Sequence, residues 1–179
     1  HFSVQAFPVD HRGSSSLGYR FTEKSHRPFL SDAAEQLGVP NGPCRRDLVQ
    51  GKAITLEDGR VVKPEDVLGK ERPGVSLVIV GDVGKPEKLH EHVSGADVMV
   101  IEATYLAEDA EMARTFGHST ATEVARLAAE SGVGQLILTH LSRRYRDEDV
   151  LAEARAIFPE TYLAYDFDRF EVRKPGQGD

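Results

Sequence analysis

One cysteine, Cys44, in 179 residues excludes an intramolecular disulfide framework and a cysteine-rich zinc module. No run of 18 consecutive apolar residues is present, so no segment reads as a membrane-spanning helix. Nor is there a charged leader followed by an apolar core, as in a secretory signal. With so little cysteine, a reducing cytoplasm is the expected compartment. Basic residues are in deficit: 22 Lys and Arg stand against 29 Asp and Glu, a net charge of −7. The deficit falls on one side, because residues 1–75 carry 11 basic and 10 acidic groups while residues 76–179 carry 11 and 19. That second stretch repels a free anionic polymer unless something positive is added, and a bound metal ion is often the largest local charge a protein acquires.

What is present is a change of texture along the chain. Residues 2–9 and 17–22 read as two strands of a hairpin with His11 in its loop. Residues 23–74, broken by five prolines, read as a loop-rich surface insertion. Inside it the spacing predicts a short helix over 32–37 capped by Ser31, and a tight hairpin at Asp58-Gly59. From residue 75 onward apolar strands (76–80, 98–101, 135–138, 162–165, 170–172) alternate with helical segments (86–93, 109–116, 120–131, 147–158). The helix at 120 opens with the capping box Thr120-x-x-Glu123 and stops at Gly132. Such alternation implies a buried α/β sheet, and the polar end, 174–179, reads as a disordered tail.

In α/β sheets ligands gather beyond the carboxyl ends of the strands. Those ends supply Gly81-Asp82, Glu102-Ala103-Thr104, Thr139-His140 with Ser142, Arg143, Arg144 and Tyr145 behind it, and Asp166. Gly117-His118-Ser119-Thr120 precedes a helix, where an anion binds readily. Two carboxylates and two histidines at converging strand ends point to a metal hydrolase site. Each residue alone has a plainer reading: Asp82 shaping a turn, His140 a hydrogen-bonded half-buried histidine, Ser119 or Thr120 a helix cap, the arginines a solvated face. Glu102 is harder to explain that way, since a charge closing an apolar strand is costly unless paired. His90 and His92 lie two apart on a helix, do not face each other, and read as surface residues. His1 and His26 have nothing around them to recruit.

Together these segments resemble the ribonuclease Z (tRNase Z) family of tRNA 3′-processing endonucleases in the metallo-β-lactamase superfamily. The resemblance is carried by Pro8-Val9-Asp10-His11 with Leu17-Gly18-Tyr19-Arg20; by Gly38-Val39-Pro40-x-Gly42-Pro43, Leu48-x-x-Gly51 and Leu56-Glu57-Asp58-Gly59-Arg60; and by Gly81-Asp82. It continues through Glu102-Ala103-Thr104, Gly117-His118-Ser119-Thr120 and Leu138-Thr139-His140-x-Ser142-x-Arg144-Tyr145. The order is the family's own. The resemblance implies the C-terminal half of a four-layer αββα sandwich over residues 1–173, with the insertion at 23–74. It further implies a site of two zinc ions, with manganese also suited to such N/O ligands. By resemblance, His11 binds one ion, Asp82 bridges both and takes part in catalysis, and His140 binds the other. His118, oriented by Glu102, protonates the leaving ribose oxygen, while Ser119, Thr120, Ser142 and Arg144 hold substrate phosphates. Precursor tRNA is the implied partner, cut by a homodimer, with no membrane involved.

The sequence departs from the family pattern in three places. Gly81-Asp82 is followed by Val83 instead of threonine, and Ile101 stands where a histidine usually precedes Glu102. Both changes fall beside the expected ligands and bear on metal affinity and rate. The family's H-x-H-x-D-H string is missing altogether. Three ligands do not close two zinc sites, so the stretch by itself is expected to bind metal poorly and cleave little. Two rival functions stand beside the nuclease: a small-molecule phosphodiesterase or sulfatase of the same superfamily, and a metal-free, non-catalytic half-domain.

Overall fold

The structure, a computed structural model, describes residues 2–174. In chain order its elements are β1 (Phe2–His11), β2 (Ser14–Glu23), α1 (Ser31–Gln36), α2 (Pro43–Val49), β3 (Ile54–Thr55), β4 (Val61–Val62), α3 (Pro64–Val67) and β5 (Ser76–Ile79). A 3₁₀ turn (Pro86–Leu89) leads into α4 (His90–Val93), followed by β6 (Val98–Glu102). Another 3₁₀ turn (Ala107–Asp109) leads into α5 (Ala110–Phe116), and α6 (Ala121–Glu130), β7 (Gln135–Thr139), α7 (Asp147–Arg155) and β8 (Thr161–Leu163) complete the series. The described residues divide into two compact units, one from 2–23 with 75–174 and one from Lys24–Gly74.

The larger unit is built on a six-stranded sheet in the order β1-β2-β5-β6-β7-β8. The first two pairings are antiparallel and the rest parallel. Side chains alternate across a strand, so one sheet face carries Phe7, Val9, Val78, Met99, Ile101, Leu136 and Leu138. These residues are buried in one cluster with Leu89, Val93, Val124, Leu127, Val150 and Ala154 from the helical segments. The other face presents Phe2, Val4, Leu17, Tyr19 and Ile79, all exposed. Helix α6 starts as its sequence implies: Thr120 caps it, accepting a hydrogen bond from the Glu123 N–H, and the Glu123 carboxylate accepts one from the Thr120 N–H.

The smaller unit is more than loops. Three short helices and the β3–β4 hairpin, turned at Asp58-Gly59, enclose Ala34, Val39, Leu48, Val62 and Val67. Pro43 does not break structure there; it occupies the first turn of α2, where a missing N–H costs nothing. Ser31 is the first helical residue of α1 and not its cap, since Leu30 holds the cap position without a side-chain bond.

Three other expectations are corrected. His11 lies in β1, paired with Ser14, and the hairpin turn is Arg12-Gly13. Residues 170–172 form no strand: β8, an edge strand, ends at Leu163, and the chain then turns through Phe167 at φ 73°. Lys174 is not loose, because its ammonium group lies 3.1 Å from the buried Asp97 carboxylate. Residues 175–179, expected to be disordered, lie outside the described residues.

Candidate metal centre

Three strand ends of the larger unit and the segment between α5 and α6 meet at one spot. β1 brings His11, the loop after β5 brings Asp82, the segment before α6 brings His118, and the residue after β7 is His140. Asp82 stands between two histidines and turns one oxygen toward each: Oδ2 is 3.9 Å from His11 Nε2, and Oδ1 is 3.7 Å from His140 Nε2. The His118 ring lies between the same two, with centroids 5.2 Å from His11 and 5.4 Å from His140. The tightest triple is His11, Asp82 and His118, with one potential ligand atom from each lying within 4.8 Å of the others.

The rings are oriented from behind. His11 Nδ1 is 2.7 Å from the Gly117 carbonyl. A carbonyl only accepts, so Nδ1 carries the proton and Nε2 offers its lone pair to the cluster. His118 Nδ1 is 2.9 Å from Glu102 Oε1, which fixes that ring the same way. His140 is held by its backbone, at φ 53°, with its carbonyl 3.0 Å from the Thr104 hydroxyl.

Glu102 is fully buried, and the structure supplies what a buried carboxylate requires. It accepts hydrogen bonds from the Val83 N–H (2.7 Å), the Thr104 hydroxyl (2.5 Å), the Thr104 N–H (3.3 Å) and His118. The Asp82 loop is pinned on both sides of that contact. The Ser119 hydroxyl donates to the Val83 carbonyl at 2.5 Å, and the Gly84 N–H donates to the Asp10 carbonyl at 2.7 Å. Gly84 is glycine for a steric reason: an added Cβ would lie 3.1 Å from the Gly117 backbone.

These bonds correct one part of the sequence reading. Ser119 and Thr120 were expected to touch substrate phosphates, but both are buried. The Ser119 hydroxyl holds the Asp82 loop and the Thr120 hydroxyl caps α6, so both hydroxyls are already engaged within the chain. Ser142 is half-buried and accepts from the Arg144 N–H at 3.3 Å. Arg144 points to Asp109, 3.5 Å away. Tyr145 also bonds Asp109, and burial first, then that carboxylate, push its hydroxyl up to about 12, so it stays a donor at neutral pH. Of the side histidines, His90 is exposed, whereas His92 is stacked on Phe7 at 4.4 Å and is thus not simply a surface residue. Val83 and Ile101, the two departures from the family pattern, are buried core residues.

The donors suit a borderline divalent cation: imidazole Nε2 atoms whose Nδ1 partners are already engaged, and a carboxylate with both oxygens facing the cluster. Among the described residues no helix is long and apolar enough to cross a membrane.

No protein-family model matches the chain. In fold, it resembles the metallo-β-lactamase fold protein YhfI from Bacillus subtilis (TM-score 0.57, 17% identity, 90% of this chain and 46% of that one). It also resembles human tRNase Z, short form (TM-score 0.52, 23% identity, 96% and 44%). The architecture is therefore that of a metallo-β-lactamase-fold protein, in part. In sequence, it is 51% identical over 171 residues to ribonuclease Z of Bradyrhizobium sp. (strain ORS 278), covering 96% of this chain and 57% of that protein. It is 40% identical over 174 residues to ribonuclease Z of Gemmatimonas aurantiaca, covering 96% and 55%. The chain is a homologue of ribonuclease Z and spans a little over half the length of the curated relatives it matches.

Proposed function

We propose that the protein carrying these residues is a metal-dependent endoribonuclease that removes the 3′ trailer from precursor tRNA. One observation carries the reading: the Asp82 carboxylate directs one oxygen toward His11 and the other toward His140, the arrangement of a ligand shared by two ions. The identity of 51% to a protein named ribonuclease Z supports the choice of substrate.

His11, Asp82 and His140 form one wall of the site, with zinc as the fitting ion and manganese as the alternative for the same donors. A pair of such ions supplies an activated water and neutralises charge on the phosphodiester. The chain's own part is positional and protic. His118 keeps its Nδ1 proton on Glu102 and Nε2 facing the cluster; with Nε2 also protonated, the imidazolium gives that second proton to the ribose 3′-oxygen as the P–O bond breaks, and returns to the neutral ring. Glu102, behind it, fixes the ring. Arg144 and Ser142, on the loop after His140, are the residues we assign to the RNA backbone, Arg144 giving up its contact with Asp109 to reach it. In this reading the protein works in the cytoplasm as a homodimer, and the partner subunit grips the tRNA that the acidic stretch 76–179 would by itself repel.

The test is cleavage by the full-length protein of a labelled precursor tRNA, alongside bis(p-nitrophenyl) phosphate. A cut at the trailer boundary is expected; turnover of the small diester with none of the tRNA overturns the reading in favour of a small-molecule phosphodiesterase. Roles are tested by His118→Ala in the same protein. Cleavage is expected to fall by about 10² to 10⁴-fold with the metal content unchanged. Loss of metal from that variant would instead make His118 a ligand, as its place in the tightest triple allows.

A further inference from the structure

Cations around this site are mostly spoken for. Lys85 and Lys88 flank Asp10 at 3.2 and 2.9 Å and hold its carboxyl below the usual range. Arg144 is paired with Asp109, and Arg146 with Asp149. Arg12, which directly follows His11, is different. Its guanidinium has no acidic partner and no hydrogen bond among the described residues; its one ring contact is with Phe116, 5.9 Å to the centroid. Arg143 also lacks a partner among the described residues, but nothing holds its side chain in place.

Arg12 is held with some care. Its backbone sits at φ 48°, as the two-residue turn Arg12-Gly13 between β1 and β2 requires, and that turn sets where the side chain leaves the chain. The stem of the side chain passes over Gly117, whose carbonyl anchors His11. A Cβ on Gly117 would lie 2.2 Å from Arg12 Cγ, so the glycine clears the path the arginine takes. The result is an exposed planar cation without an acidic partner among the described residues, carried by the residue next to His11 with its stem over Gly117, in a chain of net charge −7. A guanidinium with its donors unspent matches a phosphate, which it takes through two parallel hydrogen bonds.

We propose that Arg12 is a substrate-binding residue, taking a backbone phosphate of the RNA next to the one cleaved. The assignment rests on the endoribonuclease reading above and adds to it a contact between the chain and its substrate.

The test uses the full-length protein and a labelled precursor tRNA, with Arg12→Met and Arg12→Lys. Methionine keeps the stem over Gly117 and removes the charge; lysine keeps the charge and loses the fork. For Arg12→Met, KM is expected to rise roughly tenfold, and the slope of log KM against log salt to become shallower by about 1. Arg12→Lys is expected to recover the salt slope and part of the KM. Metal content and melting temperature stay at the parent value. An unchanged KM and salt slope overturns the proposal. So does a loss that comes with a lower melting temperature and no change in salt slope, which marks a structural arginine. If the parent protein does not cleave the tRNA, binding of the same RNA is read by fluorescence anisotropy. Binding weakened by Arg12→Met then keeps the phosphate contact while the nuclease reading falls; equal or absent binding in parent and variant ends the proposal.

Discussion

Asp82→Ala in the full-length protein is expected to lose most of its bound metal and to cleave precursor tRNA at least 10³-fold more slowly, with little change in stability. The separation of effects follows from how the residue is held. The loop around it is fixed by backbone bonds at Val83 N, Val83 O and Gly84 N, none of which uses the Asp82 side chain. That side chain is 41% exposed, and its oxygens face the histidine cluster: His11, His140 and His118. Removing it therefore leaves the loop where it was, and the change in folding free energy stays within about 0.5 kcal/mol. Asp82→Asn, which keeps one carbonyl oxygen and the shape, is expected to fall between parent and alanine in metal content. Metal counted by plasma mass spectrometry, next to a thermal melt, checks both halves. A full complement of metal in Asp82→Ala would reduce the residue to a shaper of its turn.

Glu102→Ala is expected to act in the opposite sense, on the fold first. Four donors converge on that buried carboxylate, and alanine leaves three of them without it as acceptor, the Thr104 hydroxyl alone having the His140 carbonyl to turn to. Orphaned groups of this kind cost about 1–3 kcal/mol each when water cannot replace the partner. With partial relaxation the total is about 3–5 kcal/mol, a large share of the stability of an ordinary domain. For a chain of this size that corresponds to a melting temperature lower by about 10 °C. Glu102→Gln keeps an oxygen and is expected to lose about half as much. Circular dichroism melts decide it: if Glu102→Ala melted within about 2 °C of the parent, the network would not be the support described here.

Much of this was legible in the sequence where one signal was strong enough to stand alone. The run Val-Met-Val-Ile before Glu102 reads as a buried strand because nothing in it fits a surface, and β6 ends on that glutamate. Thr120-x-x-Glu123 reads as a helix start because both side chains have a backbone partner at that spacing. Asp82 and His140 were read as strand ends of one α/β sheet, where ligands gather, whereas His11 joined them only through the family resemblance, since no spacing connects it to residues so far along the chain. Other features turned on what a side chain is already bonded to. Ser119 and Thr120 sit where an anion site would be, but their hydroxyls are committed to Val83 and to the start of α6. Helix α2 is hidden by the prolines around it, although Pro43 suits its first turn. The apolar pair at 170 and 172 imitates a strand, yet β8, the edge strand, ends well before it at Leu163.

The bond from His11 to the Gly117 carbonyl spans 106 positions of the chain, and the β2–β5 pairing that carries His11 into place must first close over residues 24–74. Contacts of such separation form only after the loop entropy between them has been overcome. No short piece of this polypeptide, however helical or strand-like, possesses the chemistry: during synthesis it arrives all at once, when the last strand ends come together, and any nick or misfolding event that frees the first hairpin removes it as completely as deleting a ligand.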